Sequence, residues 1–171
     1  MVHFHHSGLR IVELSRWRGG KAQYIRSMRY PEQLIAIMRE DLTANGVEET
    51  RTPEAVDAAV APGSGTVLMI VNSVCGCAAG KARPGVVKAL LESEVKPDRA
   101  VTVFAGADVE AVARVRELLV GFPPSSPAFA IFQDGNPVYM MHRFQIEGRN
   151  AEAISNDLKN AFAQYGVKSI Q

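Results

Sequence analysis

Residues 67–85 constrain this chain more than any other stretch. An apolar, β-branched run, Val67-Leu68-Met69-Ile70-Val71, leads into Asn72-Ser73-Val74-Cys75-Gly76-Cys77. The run predicts a buried strand, and the Ala-, Lys- and Val-rich residues after it predict a helix. A cysteine at such a junction sits where backbone N–H groups lack partners and the helix dipole is positive. That field favours thiolate over thiol and makes the sulfur nucleophilic. The expected chemistry is thiol–disulfide exchange through Cys75 and Cys77, the two cysteines of the chain.

Two cysteines separated by one residue can close a disulfide, because their Cα separation falls near the permitted window of roughly 4.4–6.8 Å. Gly76 between them predicts relief of any Cβ penalty on the dihedrals the small ring demands. A ring so short should be strained and suited to exchange rather than permanent stapling. Cys75, nearer the strand end, is expected to face solvent and attack, with Cys77 resolving. Lys81 and Arg83 lie within two turns and are placed to add positive potential. Inert buried thiols are the competing reading of a cysteine pair, but a strand-to-helix junction is not a core setting. No metal is expected. Zinc would need about four ligands, and His142 alone among the histidines falls in the predicted core domain.

Composition narrows the class. Hydrophobic content of 47% with 22% charged residues fits a globular domain with a real core, and 171 residues suit one such domain. A formal net charge of +1 gives no global field toward nucleic acid or a membrane. No apolar run approaches the roughly 20 residues of a spanning helix, and no secretory signal is visible. So few cysteines do not make a disulfide scaffold, and a reducing cytoplasm is expected. Residues 1–27 carry Arg10, Arg16, Arg18, Lys21 and Arg26 against Glu13 alone. They read as an N-terminal extension, loosely ordered or packed on a partner, with His3, His5 and His6 on a solvated arm. Residues 28–171 form the predicted domain.

Within it, residues 30–45 predict a helix with Leu34, Ile35, Ile37, Met38 and Leu42 on an apolar stripe and Asn45-Gly46 as its stop. Residues 47–50 read as a short edge strand. Thr52 caps a helix over residues 53–60 with Pro53 at its first position. The central strand covers residues 66–71. A helix over residues 77–92 should kink at Pro84. Residues 101–105 predict a second buried strand, and residues 108–119 a helix. Residues 128–133 and 138–143 predict strands joined by Asp134-Gly135-Asn136, a hairpin signal. Residues 150–165 close as a helix with Ile154, Leu158, Ala161 and Phe162 inward, and the tail after Gly166 looks frayed. The order is a helix followed by βαβαββα: an α/β protein with a mixed central sheet of thioredoxin-like type and an extra N-terminal helix. Pro127 follows Ser125-Ser126 and precedes a strand, where a cis bond would pin the loop against the cysteines.

The block from Val71 to Gly80, with Ala82-Arg83-Pro84, resembles the signature of the bacilliredoxin A/B family. Thr102-Val103-Phe104-Ala105-Gly106, Pro123-Pro124-Ser125-Ser126-Pro127 and Ile146-Glu147-Gly148 resemble its later blocks, in consistent order over residues 30–165. The resemblance implies a cytoplasmic protein that removes bacillithiol from mixed disulfides or shuffles disulfides, with Cys75 attacking and Pro127 cis. Asn72, Ser73, Gly76, Arg83, Ser126 and Pro127 are the residues expected to support that site. Two departures stand out. Phe144 follows Arg143 where members of that family carry His, and Tyr165-Gly166 ends the last helix where many end in Cys.

The leading expectation is therefore a bacilliredoxin-type oxidoreductase with no bound cofactor and bacillithiol as co-substrate. Its partners would be client proteins carrying mixed disulfides and a recycling thiol or reductase, with a homodimer plausible and neither nucleic acid nor membrane involved. A general disulfide isomerase or reductase is one alternative. A redox-sensing interaction module without turnover is the other.

Overall fold

Every residue of β2 is buried along the strand Thr66–Asn72, because the strand is hydrogen-bonded on both edges and covered on both faces. The computed structural model describes residues 29–168, so the proposed extension and the boundary after residue 27 lie outside the described residues. In chain order the elements are α1 (Glu32–Thr43), β1 (Glu48–Glu49), α2 (Pro53–Ala59), β2, a π-helical segment (Ala78–Ala82) and α3 (Arg83–Glu92). Then come β3 (Val95–Lys96), β4 (Arg99–Phe104), α4 (Val109–Leu118), β5 (Ala128–Gln133) and β6 (Asn136–Met141). The chain closes with α5 (Arg143–Glu147), α6 (Ala151–Tyr165) and β7 (Val167–Lys168).

The main sheet has the order β1-β4-β2-β5-β6. β1 and β2 run parallel to β4, as their helical crossovers require. β5 is antiparallel to β2, and β6 to β5. The sheet is therefore mixed, as expected. β2, α3, β4, α4, β5, β6 and α6 reproduce the βαβαββα order, but the N-terminal addition is larger than one helix. It comprises α1, β1 and α2, and β1 extends the sheet at its β4 edge.

Alternation along β2 divides the core in two. Leu68 and Ile70 join Val86 and Ala89 of α3 and Ile154, Leu158 and Phe162 of α6 on one face. Val67, Met69 and Val71 join Val56 and Ala59 of α2 and Val112 and Val115 of α4 on the other. Each fully buried aliphatic or Phe side chain contributes roughly 1.5–3 kcal/mol before conformational entropy is set against it.

Several expectations need correction. On α1, Ile35 and Leu42 are buried, but Leu34 and Ile37 are exposed, and Arg39 points inward. Arg39 can do so because Asp108 takes its charge through two hydrogen bonds of 2.8 and 3.0 Å. The interruption expected at Pro84 is taken up one turn earlier, by the π-helical segment, whose Arg83 amide bonds to the carbonyl of Ala78. Pro84 then lies in the first turn of α3, where its missing N–H is no loss. Strand β6 stops at Met141, and Arg143 opens the short helix α5, at whose start Gln145 Oε1 accepts the His142 amide at 2.8 Å and the Gln145 amide donates to the His142 carbonyl at 3.0 Å. Val167 and Lys168, the first two residues of the tail expected to fray, bond antiparallel to Lys96 and Val95, and the remainder of that tail lies outside the described residues.

Candidate active site

The chain turns from sheet to helix at Asn72, and the turn is built from buried polar contacts. Asn72 Oδ1 accepts the Ser73 amide at 2.8 Å, and Asn72 Nδ2 donates to the Met38 carbonyl of α1 at 3.1 Å. Arg83 reaches back from the start of α3. Its Nη1 donates to the Ser73 carbonyl at 3.0 Å and to Asn72 Oδ1 at 3.2 Å, while Nε donates to Asp41 at 2.8 Å. The Arg83 side chain is 5% exposed. A guanidinium so enclosed needs a paired carboxylate and acceptors, and Asp41, Asn72 and the Ser73 carbonyl supply them to Nε and Nη1.

Cys75 and Cys77 follow, joined as a disulfide with a Cα separation of 5.4 Å. Helical turns begin directly behind Cys75, whose carbonyl accepts the amides of Ala78 and Ala79 at 3.0 and 3.1 Å. Ala78 N also donates to Cys75 Sγ at 3.3 Å, and Ser73 Oγ lies 3.3 Å from the same sulfur. A disulfide sulfur carries no hydrogen, so the hydroxyl is the donor. The Cys77 side chain makes no such capping bond. Two donors thus converge on Cys75, the arrangement that favours an anion there.

Cys75, expected to face solvent, and Cys77 are both half-buried, and Gly76 between them is exposed. Gly76 does not take a left-handed conformation, since it is not among the positive-φ glycines. A Cβ there would meet nothing within 4 Å. The helical turn asks nothing of Gly76 that other residues could not adopt. Lys81 does not approach the cysteines through its contacts; Nζ donates to the Glu147 carbonyl of α5.

The Ser126–Pro127 peptide is cis. The β2–β5 ladder pairs Val71 with Ala128, so Pro127 stands at the same sheet end as Asn72. The loop before it is tied to α5. Ser125 Oγ accepts the Arg143 amide at 2.7 Å, and the Ser126 carbonyl accepts Arg143 Nη1 at 3.4 Å. A cleft of about 430 Å³ opens alongside, between Pro123–Ser126 and His142, Phe144 and Glu147. Phe144 is 74% exposed and its ring stacks on His142 at 5.5 Å.

The structure thus joins Asn72, Ser73, Arg83, Cys75 and Cys77 into one connected unit and sets Ser126 and Pro127 at the same end of the sheet. Sequence reading missed Asp41, the partner of Arg83. It lies 42 residues away on a helix face that carries no local mark of the pairing. It also missed that the hydroxyl of Ser73 reaches Cys75. That contact was open to inference from the i, i+2 spacing at a strand end. Among the described residues no cluster of three or more His, Cys, Asp and Glu side chains is placed to hold a metal, and no helix is long and apolar enough to cross a membrane.

Comparison with known proteins agrees with this geometry. Thioredoxin O2 of Arabidopsis thaliana superposes with a TM-score of 0.50 over 72% of this chain and 97% of that one, at 14% identity. A thioredoxin variant from Halobacterium salinarum gives 0.51 over 72% and 93%, at 18% identity. These likenesses show a thioredoxin-like fold. A bacilliredoxin of Salinibacter ruber is 56% identical over 139 residues, covering 81% of this chain and 82% of the relative. One from Koribacter versatilis is 51% identical over 136 residues, 80% of this chain and 93% of the relative. The family model described as disulphide isomerase matches residues 30–166. With the sulfur pair at the helix start, these matches make the chain a thiol–disulfide oxidoreductase, and it belongs to the disulphide isomerase family whose curated relatives are named bacilliredoxins.

Proposed function

We propose that the chain removes bacillithiol from protein mixed disulfides, with Cys75 as the attacking sulfur. The Cys75 thiolate attacks the bacillithiol sulfur of the mixed disulfide. The client sulfur leaves as a thiolate and takes a proton from water, and bacillithiol is now bonded to Cys75. Cys77, deprotonated, then attacks the Cys75 sulfur. Bacillithiol leaves as a thiolate, and the Cys75–Cys77 disulfide closes. The dithiol has supplied two electrons, which a recycling thiol or reductase restores. Alternatively a second thiol attacks the bacillithiol held on Cys75 and frees it without Cys77. No bound cofactor enters either route. The setting is the cytoplasm, where such a pair can be re-reduced.

Supporting this reading above all is one contact, the Ala78 amide donating to Cys75 Sγ at 3.3 Å at the start of the helix. It favours Cys75 over Cys77 as the sulfur that carries negative charge when it attacks or departs. The names of the curated relatives support the choice of bacillithiol. The test uses a protein–bacillithiol mixed disulfide as substrate. Cys75→Ser should abolish release, and Cys77→Ser should trap the mixed disulfide or retain a monothiol activity. Equal activity in all three proteins overturns the assignment.

A second reading, general disulfide isomerisation or reduction, is favoured by the description of the matching family. Paired assays on bacillithiol- and glutathione-mixed disulfides of one client separate the two. Equal turnover of both favours the general activity.

A further inference from the structure

We infer that the Ser73 hydroxyl is a catalytic donor to the Cys75 thiolate, and that the buried Arg83, anchored by Asp41, is the positioning residue that aims it. The inference deepens the proposed function and rests on its assignment of Cys75 as the attacking sulfur.

Ser73 is 8% exposed, so its hydroxyl is largely withdrawn from competing water. It stands 3.3 Å from Cys75 Sγ in the oxidised state and already donates there. When the disulfide opens, the charge that develops on Cys75 meets this donor in place. A hydrogen bond to an anion is about twice as strong as one between neutral groups. The contact therefore gains strength as the thiolate forms and favours the ionised sulfur over the thiol. No proton moves from Ser73. The thiol proton goes to solvent, and the hydroxyl keeps its own.

The aim of the hydroxyl depends on the peptide that carries it. Both polar groups of the Ser73 backbone are held: the amide by Asn72 Oδ1 and the carbonyl by Arg83 Nη1. The same Nη1 also holds Asn72 Oδ1, and Nε of the same fork is bound to Asp41. One planar guanidinium thus ties α1, the end of β2 and the start of α3 together at the peptide that carries the hydroxyl. A lysine has the charge but not the fork, and cannot make these bonds in this geometry.

The thiolate titration of Cys75 provides the test, read by the rate of iodoacetamide alkylation against pH with Cys77→Ser as the background, so that one thiol remains. No bacillithiol is involved. Ser73→Ala should raise the midpoint by about one unit, a roughly tenfold change in the ionisation constant, and Ser73→Thr should restore most of it. Arg83→Lys should shift the midpoint in the same direction as Arg83→Met, because orientation and not charge alone is lost. An unchanged midpoint in Ser73→Ala overturns the role of the hydroxyl. A Lys variant that keeps the parental midpoint while Met does not overturns the positioning role of Arg83. Should the Arg83 variants fail to fold, the Ala and Thr variants at Ser73 still decide the hydroxyl. A low parental midpoint together with a silent Ser73→Ala would refute this inference and leave the proposed function standing. A parental midpoint at or above that of a free thiol, about 8.5, would count against both.

Discussion

A Cβ built on Gly85 would lie 2.9 Å from Cγ2 of Ile154, closer than real methyl groups approach. The same atom would be 3.1 Å from the Ala151 carbonyl, so helices α3 and α6 meet at Gly85 with almost no space between them. Gly85→Ala should gain helix propensity, at most about 1 kcal/mol. It should lose about 1–3 kcal/mol to overpacking. The expected result is a net loss of stability of order 1 kcal/mol, measured as a lower urea midpoint at unchanged slope. Adding Ile154→Ala should make the double variant less destabilised than the sum of the two single changes.

The Arg39–Asp108 pair should be costly to break. Both side chains are 6% exposed, and Asp108 also accepts the Phe104 amide at 2.8 Å. Burial works to lower the Arg39 pKa, but the Asp108 hydrogen bonds and the charges of Asp108, Glu49 and Glu32 outweigh it and hold the pKa above its ordinary value. Asp108→Ala leaves Arg39 with Glu49 and Glu32 as its remaining partners, at 2.8 and 2.9 Å, and strands the buried Phe104 amide, so it should cost about 1–3 kcal/mol. Differential scanning calorimetry would show a large drop in Tm. Arg39→Met combined with Asp108→Leu should recover a substantial part of it.

Alkaline stability should report on Tyr139. Burial, with a smaller contribution from the Asp157 charge, raises the Tyr139 pKa above its ordinary value near 10. The folded state therefore keeps its phenol proton at a pH where the unfolded chain has lost it. Stability from this group is complete below pH 10 and is lost as pH rises through the folded pKa. Urea midpoints measured on either side of pH 10 should fall more steeply in the parent than in Tyr139→Phe. Parallel slopes would contradict the assignment.

The β5–β6 hairpin should resist side chains at Gly135. Asp134 and Gly135 both have positive φ, 46° and 86°, as a tight two-residue turn requires. A Cβ on Gly135 would also press within 3.1 Å of the Val60 carbonyl. Gly135→Ala should cost roughly 1–2 kcal/mol from the backbone conformation alone. A thermal melt reads it directly. The same substitution at Gly76 should be far milder, since no left-handed conformation or close contact stands against it.

Features read correctly from sequence were those whose cause is local. The apolar run before Cys75, the Thr52 cap accepting the Ala55 amide, and the Asp134-Gly135 turn each carry their reason within a few residues. The cis Pro127 was legible through position in a recognised pattern rather than through its neighbours. What escaped depends on partners far along the chain. Arg39 looks like a solvated helix residue until Asp108 arrives from 69 residues away. Arg83 looks like a surface charge until Asp41 and the Ser73 carbonyl enclose it. The pairing of Val167–Lys168 with Val95–Lys96 joins two segments too short to announce themselves. Likewise α5 reads as a strand extension, because its start is signalled by a His142–Gln145 exchange and not by a common capping residue.

The sulfur bridge spans a sequence separation of only two residues. Cross-links restrict a denatured chain in proportion to the logarithm of the loop they close, so this one removes little of that freedom. The core formed by β2 with α3 and α6 does not depend on it. Opening the bridge thus costs the architecture little, and the molecule is built to cycle between its two oxidation levels as the same folded object.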